Sequence, residues 1–350
     1  MNTRFCLFTE ELNPPFDEGY KNFTYNLFRL SRVGRVVHRL SAGDQSVIDK
    51  QVKAGKLLLC KEIRDTIREF HPDVLIYVPI SSITPASFLR SRILKFYAQG
   101  APVVMIGLQP RPLKPILRLV APDIVYVQSR ASKECLENAG FRAGIIQAGV
   151  DSDRFRPVGR LEKDSLRKKY MLDPDAYIVL HVGHIKEQRN IRVLGEVANI
   201  SDVQVIIVGS TSTNEDKSLS LWLEKRGVRV IRGYTSRIEE LYQLADAYVF
   251  PVTQETAAIE FPLSVLEAMA CNLSVVTTQF GGLKDYFSDG DGLFFVEDPS
   301  QIPEKVDHAR HFRPVNTYSK VESFTWQSVA DRFFDEVEQF VHSLTRCKRD

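Results

Sequence analysis

The run Glu260-Phe261-Pro262-Leu263-Ser264-Val265-Leu266-Glu267-Ala268-Met269-Ala270 sets a proline directly ahead of good helix formers, so the spacing predicts a helix opening after Pro262. The first amides of such a helix, those of Leu263, Ser264 and Val265, have no carbonyl one turn earlier to donate to, and the aligned peptide dipoles add partial positive charge there. A diphosphate is the kind of group that such a terminus holds. Glu267 falls one turn further in, where a carboxylate can accept from two neighbouring ribose hydroxyls without meeting the phosphates. Glutamate also occurs near helix starts simply because it complements the dipole, so spacing alone leaves both readings open.

The elements that must position this segment follow a βαβ rhythm, in which short apolar runs bounded by turn residues alternate with segments of helical period. The first series has strand candidates at 4–9, 34–39, 73–78, 102–107, 123–128 and 144–147, with helical patterns at 20–32, 54–70, 84–98 and 130–139. After a polar, proline-containing stretch at 152–174, a second series reads Tyr177–Val182, Val203–Val208, Val228–Ile231, Ala247–Phe250, Ser274–Thr277 and Gly292–Val296. Two such series predict two doubly wound domains, at 1–157 and 172–320, whose strand carboxyl ends open onto a crevice. Val329, Phe333, Val337, Phe340 and Val341 fall near helical spacing, so the tail reads as an amphipathic helix over about 325–350 that crosses back to the first domain.

Composition narrows the classes of function. The 350 residues are 44% hydrophobic and 26% charged, ordinary values for folded α/β proteins. A formal charge of +2, from 46 basic and 44 acidic residues, gives no field that would draw nucleic acid. Cys6, Cys60, Cys135, Cys271 and Cys347 are odd in number and dispersed, which points to reduced thiols in a cytoplasmic protein. Arg4-Phe5-Cys6-Leu7-Phe8 begins almost at once, with neither a charged leader nor a cleavage site, and no apolar run reaches bilayer length. No metal site is expected, because the seven histidines do not fall at ligand spacings. Basic and apolar residues interleave in Phe88–Phe96, with Arg90, Arg92 and Lys95, and in Arg111–Val120, with Lys114 and Arg118. Such stretches serve either as peripheral membrane contacts or as solvated helix faces.

Residues 259–296 resemble the donor-site signature of the retaining GT-B glycosyltransferases of family 4, the glycosyl transferases group 1, written E-x-F-G-L-x-x-L-E-A-M-A-x-G-x-P-V-V. The matching residues are Phe261, Leu263, Leu266, Glu267, Ala268, Met269, Ala270, Val275 and Val276, followed by Gly281-Gly282 and Asp289-Gly290-Asp291-Gly292-Leu293. Gly149-Val150-Asp151 with Phe155 and Pro157 is similar to the interdomain element of that family. Ile238-Glu239-Glu240-Leu241-Tyr242 with Ala245-Asp246-Ala247, and Ala121-Pro122-Asp123 through Ser129, resemble two further elements, so the likeness runs from about residue 5 to 335. The resemblance implies an α/β GT-B fold, two Rossmann-like doubly wound domains facing a central cleft. It also implies a glycosyltransferase that moves a sugar, with retention and without a metal, from a nucleoside diphosphate sugar to a glycan, glycolipid or small-molecule hydroxyl. No cofactor beyond the donor substrate is implied.

The same resemblance assigns roles and shows departures. Glu267 takes the ribose position. The family glutamate at the donor sugar aligns with Ile259, so Glu260, one position later, is its candidate replacement, either through a one-residue loop shift or as a solvated charge. The phosphate-binding arginine that follows a strand-ending glycine is His184 after Gly183, and Arg189 stands five positions on in place of a lysine, keeping a permanent charge. The family histidine near the sugar 6-hydroxyl is absent from Gly107-Leu108-Gln109-Pro110, where Gln109 could donate instead. Asn13-Pro14-Pro15-Phe16-Asp17-Glu18-Gly19 stands where a glycine-rich loop meets the donor phosphates, and Gly19 alone survives. These departures keep two rivals open, a GT-B scaffold that binds without catalysing and a sugar-nucleotide epimerase.

Overall fold

The computed structural model describes residues 3–346 apart from 32–33, 44–45, 54, 110, 112, 114 and 211–214; Pro110, Lys114 and Cys347 therefore lie outside the described residues. The chain forms two compact units. The first comprises Met1–Ala148, Ile259–Phe261 and Trp326–Asp350, the second Gly149–Ala258 and Pro262–Thr325.

The first unit is built on β1 (Arg4–Phe8), β2 (Val36–Ser41), β3 (Lys50–Gln51), β4 (Val74–Tyr77), β5 (Val103–Ile106), β6 (Ile124–Val127) and β7 (Ala143–Ile145). They make one sheet in the order β3-β2-β1-β4-β5-β6-β7, with the pairs parallel. Central strands covered on both faces read as unbroken apolar runs, and β4 and β5 are buried throughout. Ile63 and Ile67 of helix Lys61–Phe70, with Phe88 and Leu94 of helix Pro85–Tyr97, close one face over Phe8, Tyr77 and Met105. Helix Pro85–Tyr97 starts where it does because Thr84 and Ser87 form a reciprocal capping box with proline in the first turn. Helix Lys61–Phe70 is shorter than the expected 54–70. Leu58 adopts a left-handed φ of 58°, and the Leu58 and Cys60 amides donate to Gly55 and Leu58 carbonyls, which spends that stretch on turns. The terminal helix Trp326–Arg346 belongs to this unit. Phe333 and Phe334 set their edges on Tyr126 and Phe5, and Trp326 meets Phe23.

The second unit carries β8 (Tyr177–Gly183), β9 (Val203–Gly209), β10 (Arg229–Ile231), β11 (Ala247–Phe250), β12 (Ser274–Thr278) and β13 (Leu293–Val296), ordered β10-β9-β8-β11-β12-β13. From β8 the chain moves outward through β9 and β10, then returns to add β11 on the other side. The carboxyl ends of β8 and β11 therefore flank a topological switch point, where open α/β sheets bind ligands. Val150 donates to the Phe324 carbonyl at 2.8 Å and bridges to Thr325, so Gly149 and its successors group with the second unit and the division falls at Ala148 rather than 157.

The stretch 152–174, expected as a polar connection, contains helix Arg160–Lys169. Its register is held by ions rather than by an apolar stripe. Buried Arg167 donates to the Leu244, Pro174 and Ala176 carbonyls and to Asp246 at 2.6 Å, while the Lys163 ammonium bonds Asp246 at 2.7 Å. A search for hydrophobic period passes over such a helix.

Candidate functional site

Arg189 sits at the switch point of the second unit. It ends a single 3-10 turn, Glu187–Arg189, after which Asn190 takes a left-handed φ of 56°. The Asn190 amide group fastens this turn to the end of β11, donating to the Pro251 carbonyl at 3.1 Å and the Thr253 hydroxyl at 2.8 Å. The Arg189 side chain is thereby turned inward and buried, with Nε and Nη2 donating to the Ala257 carbonyl at 3.1 and 2.6 Å.

No carboxylate pairs with Arg189 among the described residues. Burial lowers its pKa to about 10, with Tyr248 opposing slightly, so it remains cationic at neutral pH. A buried cation without a counter-ion costs several kcal/mol, roughly, so the site is poised for an anion. Gly183 is part of this arrangement: a Cβ there would stand 2.5 Å from Arg189 Nη1, so no other residue type fits without moving the guanidinium. His184 follows Gly183 and is half-buried.

The helix after Pro262 runs Leu263–Ala270, with Pro262 extended at its N-cap position and no side chain capping it. Only part of the expected amide set stands open. Val265 N–H donates to the Pro262 carbonyl at 3.2 Å, because the first turn tightens to a three-residue bond, and its side chain is fully buried. The Leu263 and Ser264 amides have no such bond among the described residues. The Ser264 hydroxyl bonds Tyr248, which also donates to the Val182 carbonyl at 3.3 Å and so ties the helix start to the end of β8.

Glu267 is half-buried one turn in and accepts from the Tyr242 hydroxyl at 2.8 Å. Burial raises its pKa to about 7, against the opposing pull of Tyr242 and Arg154. Tyr242 is itself fully buried, edge-on to Phe155 and stacked near Tyr248, so the carboxylate is held by a rigid aromatic group. This hold goes beyond the dipole complement that spacing alone allowed.

The remaining expected residues belong to the first unit. Glu260 is buried and its carboxylate is consumed by the start of helix Arg130–Asn138: Ser129 and Ser132 hydroxyls donate at 2.7 and 2.5 Å, and Gln128 N–H at 3.3 Å. Its own amide donates to the Leu108 carbonyl at 2.9 Å. Glu260 is therefore neither a solvated charge nor an open sugar ligand. Ile259 is buried too, and a Cβ on Gly19 would lie 3.0 Å from its Cδ1, so Gly19 packs closely against an aliphatic side chain. Gln109 follows β5, its backbone pinned by Ser82, whose hydroxyl bonds the Gln109 carbonyl at 2.8 Å and accepts from its amide at 2.9 Å.

One residue beside Arg189 escaped the sequence reading. His181 is fully buried in β8, its Nδ1 lies 2.8 Å from the Val249 carbonyl, and its Nε2 has no partner. Burial drops its pKa to about 4, so the ring is neutral, protonated on Nδ1, with Nε2 an open acceptor 3.4 Å from the position of a Gly183 Cβ. The signal was available: His181 is the one polar interruption in the run Tyr177–Val182. Among the described residues, no group of three or more His, Cys, Asp or Glu side chains could hold a metal ion.

Residues 162–313 match the family model of glycosyl transferases group 1. The chain is 27% identical over 228 residues to the D-inositol 3-phosphate glycosyltransferase of Paenarthrobacter aurescens, covering 59% of this chain and 54% of that protein. It is 26% identical over 219 residues to the alpha-maltose-1-phosphate synthase of Mycolicibacterium smegmatis, 55% of each. The chain thus spans about half the length of the curated relatives it matches. In fold it is similar to Anabaena HepE in complex with UDP-glucose, with a TM-score of 0.75 at 16% identity over 96% of this chain and 99% of the other. It is likewise similar to the sucrose-phosphate synthase of Thermosynechococcus elongatus, with a TM-score of 0.74 at 17% identity over 97% and 100%. The switch-point site lies within the stretch that matches the glycosyl transferases group 1 model, and the fold is an α/β fold of the GT-B class.

Proposed function

We propose that the protein transfers a glycosyl group from a nucleoside diphosphate sugar to an acceptor hydroxyl on a glycan, glycolipid or small molecule, with retention of configuration and without a metal ion. The observation that carries this reading is the buried Arg189 cation without a carboxylate partner, beside Gly183 and within the same unit as the Leu263 and Ser264 amides. The barrier to such a transfer is charge growing on the departing diphosphate, and a preorganised cation in a dry site opposes it without reorganising. His184, next along from Gly183, supplies a further donor in this reading. Glu267 accepts from the ribose diol, and the relatives bound to UDP and UDP-glucose favour a uridine donor as the first to try. Cys6, Cys60, Cys135 and Cys271 are free thiols, which supports a cytoplasmic site of action. Among the described residues no helix is long and apolar enough to cross a membrane.

A thermal-shift screen of nucleoside diphosphates and nucleotide sugars, followed by turnover of the best ligand, tests the proposal. A ligand at about 100 times its Kd adds roughly 2.7 kcal/mol to the folded state, a shift of several degrees. If millimolar concentrations of the whole panel leave the melting temperature where it was, the donor site is misassigned. Glu260 bound to Ser129 and Ser132 favours a second reading, a scaffold that binds the nucleotide and does not transfer. Stabilisation by nucleoside diphosphates with no turnover of any nucleotide sugar would select it.

The Glu267 pKa gives a pH dependence with a definite sign. Its folded value of about 7 lies above the ordinary 4.5, so the free protein increasingly holds a protonated carboxyl as pH falls through 7. The two ribose hydroxyls need an ionised acceptor, so donor binding expels that proton and weakens in acid. Calorimetry should find Kd rising about tenfold from pH 8 to pH 6, and Glu267→Gln should bind weakly with a flat profile. A wild-type profile equally flat across that range would remove Glu267 from the donor contact.

A further inference from the structure

We propose that the groove between helices Lys61–Phe70 and Pro85–Tyr97 of the first unit is a docking surface for an anionic lipid bilayer. The inference stands apart from the donor site. The groove encloses about 910 Å³, and five cationic side chains, Lys61, Arg64, Arg68, Arg92 and Lys95, line it with no carboxylate among them. Two of the five are already matched, Arg64 by Asp65 at 2.8 Å and Lys95 by Asp123 at 2.6 Å. Lys61, Arg68 and Arg92 enter no ion pair among the described residues, and Arg68 Nε is buried without an acceptor. Three cations of the groove thus stand outside any close ion pair among the described residues.

The apolar rim decides which anion fits. Leu59 and Phe96 are 73% and 69% exposed at the groove, with the Arg68 guanidinium 5.7 Å from the centre of the Phe96 ring. Leu89, Arg92 and Phe96 recur at helical spacing on the outer face of helix Pro85–Tyr97 and are all exposed. The 3-10 segment Pro115–Val120 packs on that helix and exposes Ile116 and Leu119. Single exposed apolar residues are commonplace, but leucine, isoleucine and phenylalanine grouped around unpaired lysine and arginine make the composition of an interfacial surface. A soluble phosphate or a nucleic acid would satisfy the cations and leave the aliphatic side chains in water. A bilayer satisfies both, with headgroup phosphates on the cations and acyl chains beneath the rim.

The test is flotation of the full chain with phosphatidylcholine vesicles, with and without phosphatidylglycerol. Binding is expected only with phosphatidylglycerol, at low salt, and lost at high salt. Two double variants separate the contributions, Leu59→Ser with Phe96→Ser and Lys61→Gln with Arg92→Gln. Each changes exposed side chains and should leave the melting temperature and the turnover of a soluble donor unchanged, while vesicle affinity falls about tenfold or more. Absence of flotation at low salt overturns the proposal, as does flotation that neither double variant weakens. Calorimetric binding of inorganic phosphate without vesicle binding overturns it in favour of a soluble anion.

Discussion

Arg189→Met is expected to abolish nucleoside diphosphate binding and cut turnover by about 10²–10³-fold, while the free protein keeps its melting temperature to within a few degrees. The argument rests on what each state contains. The second unit buries the guanidinium against the Ala257 carbonyl, with no carboxylate among the described residues to answer its charge. Methionine of similar volume removes the desolvation penalty, an exchange often neutral or stabilising by roughly 1–4 kcal/mol. Loss of the two bonds to Ala257 offsets about 1 kcal/mol of that. The liganded state loses instead a buried cation of the switch point. Arg189→Lys, which keeps a charge but gives up the forked geometry, should fall between. Thermal melts with and without nucleoside diphosphate read both halves at once. A variant that melts early yet still responds to the ligand would make Arg189 a structural residue and end the donor-site argument.

Glu260→Ala is expected to lower the melting temperature by about 5–10 °C, the largest loss of stability foreseen from a single change outside the sheets. The substitution strands the Ser129 and Ser132 hydroxyls and the Gln128 amide at the start of helix Arg130–Asn138, and it removes a negative charge from a helix N-terminus. Charge-assisted bonds of this kind are worth roughly 1.5–3 kcal/mol each before relaxation. Glu260→Gln keeps the shape and one acceptor, so it should recover most of the stability and most of the turnover. A carboxylate that touched the reacting sugar would behave in the opposite way, with glutamine keeping the melt and destroying turnover. The pair of variants therefore decides between anchoring and chemistry.

The two glutamates show what a sequence can and cannot carry. The helix after Pro262, and the place of Glu267 one turn into it, were legible because that geometry is local: a proline followed by a run of helix formers. The two sheets were legible for a similar reason, since buried parallel strands such as β4, β5 and β11 are unbroken apolar words between turns. Glu260 was opaque because its partners Ser129 and Ser132 lie 131 and 128 residues away. The close approach of Gly19 to Ile259 was hidden for the same cause. Helix Arg160–Lys169 was missed because its order comes from Asp246, which no periodicity within 160–169 can report. Val265 was a subtler failure, a first-turn amide already engaged by the Pro262 carbonyl.

The assignment of Ile259–Phe261 to the first unit makes the chain pass from one unit to the other at four places, after Ala148, Ala258, Phe261 and Thr325. Neither half is consequently a self-contained cassette. A fragment ending at Ala148 would forfeit the acid that Ser129 and Ser132 surround and the aromatic ridge that covers Phe5 and Tyr126. A gene encoding only 149–325 would carry Phe261, fully buried in the intact chain, as an orphaned hydrophobe. Recombination between homologues would have to exchange three separate stretches together to preserve this stitching, which binds the evolutionary fate of the second unit to that of the first.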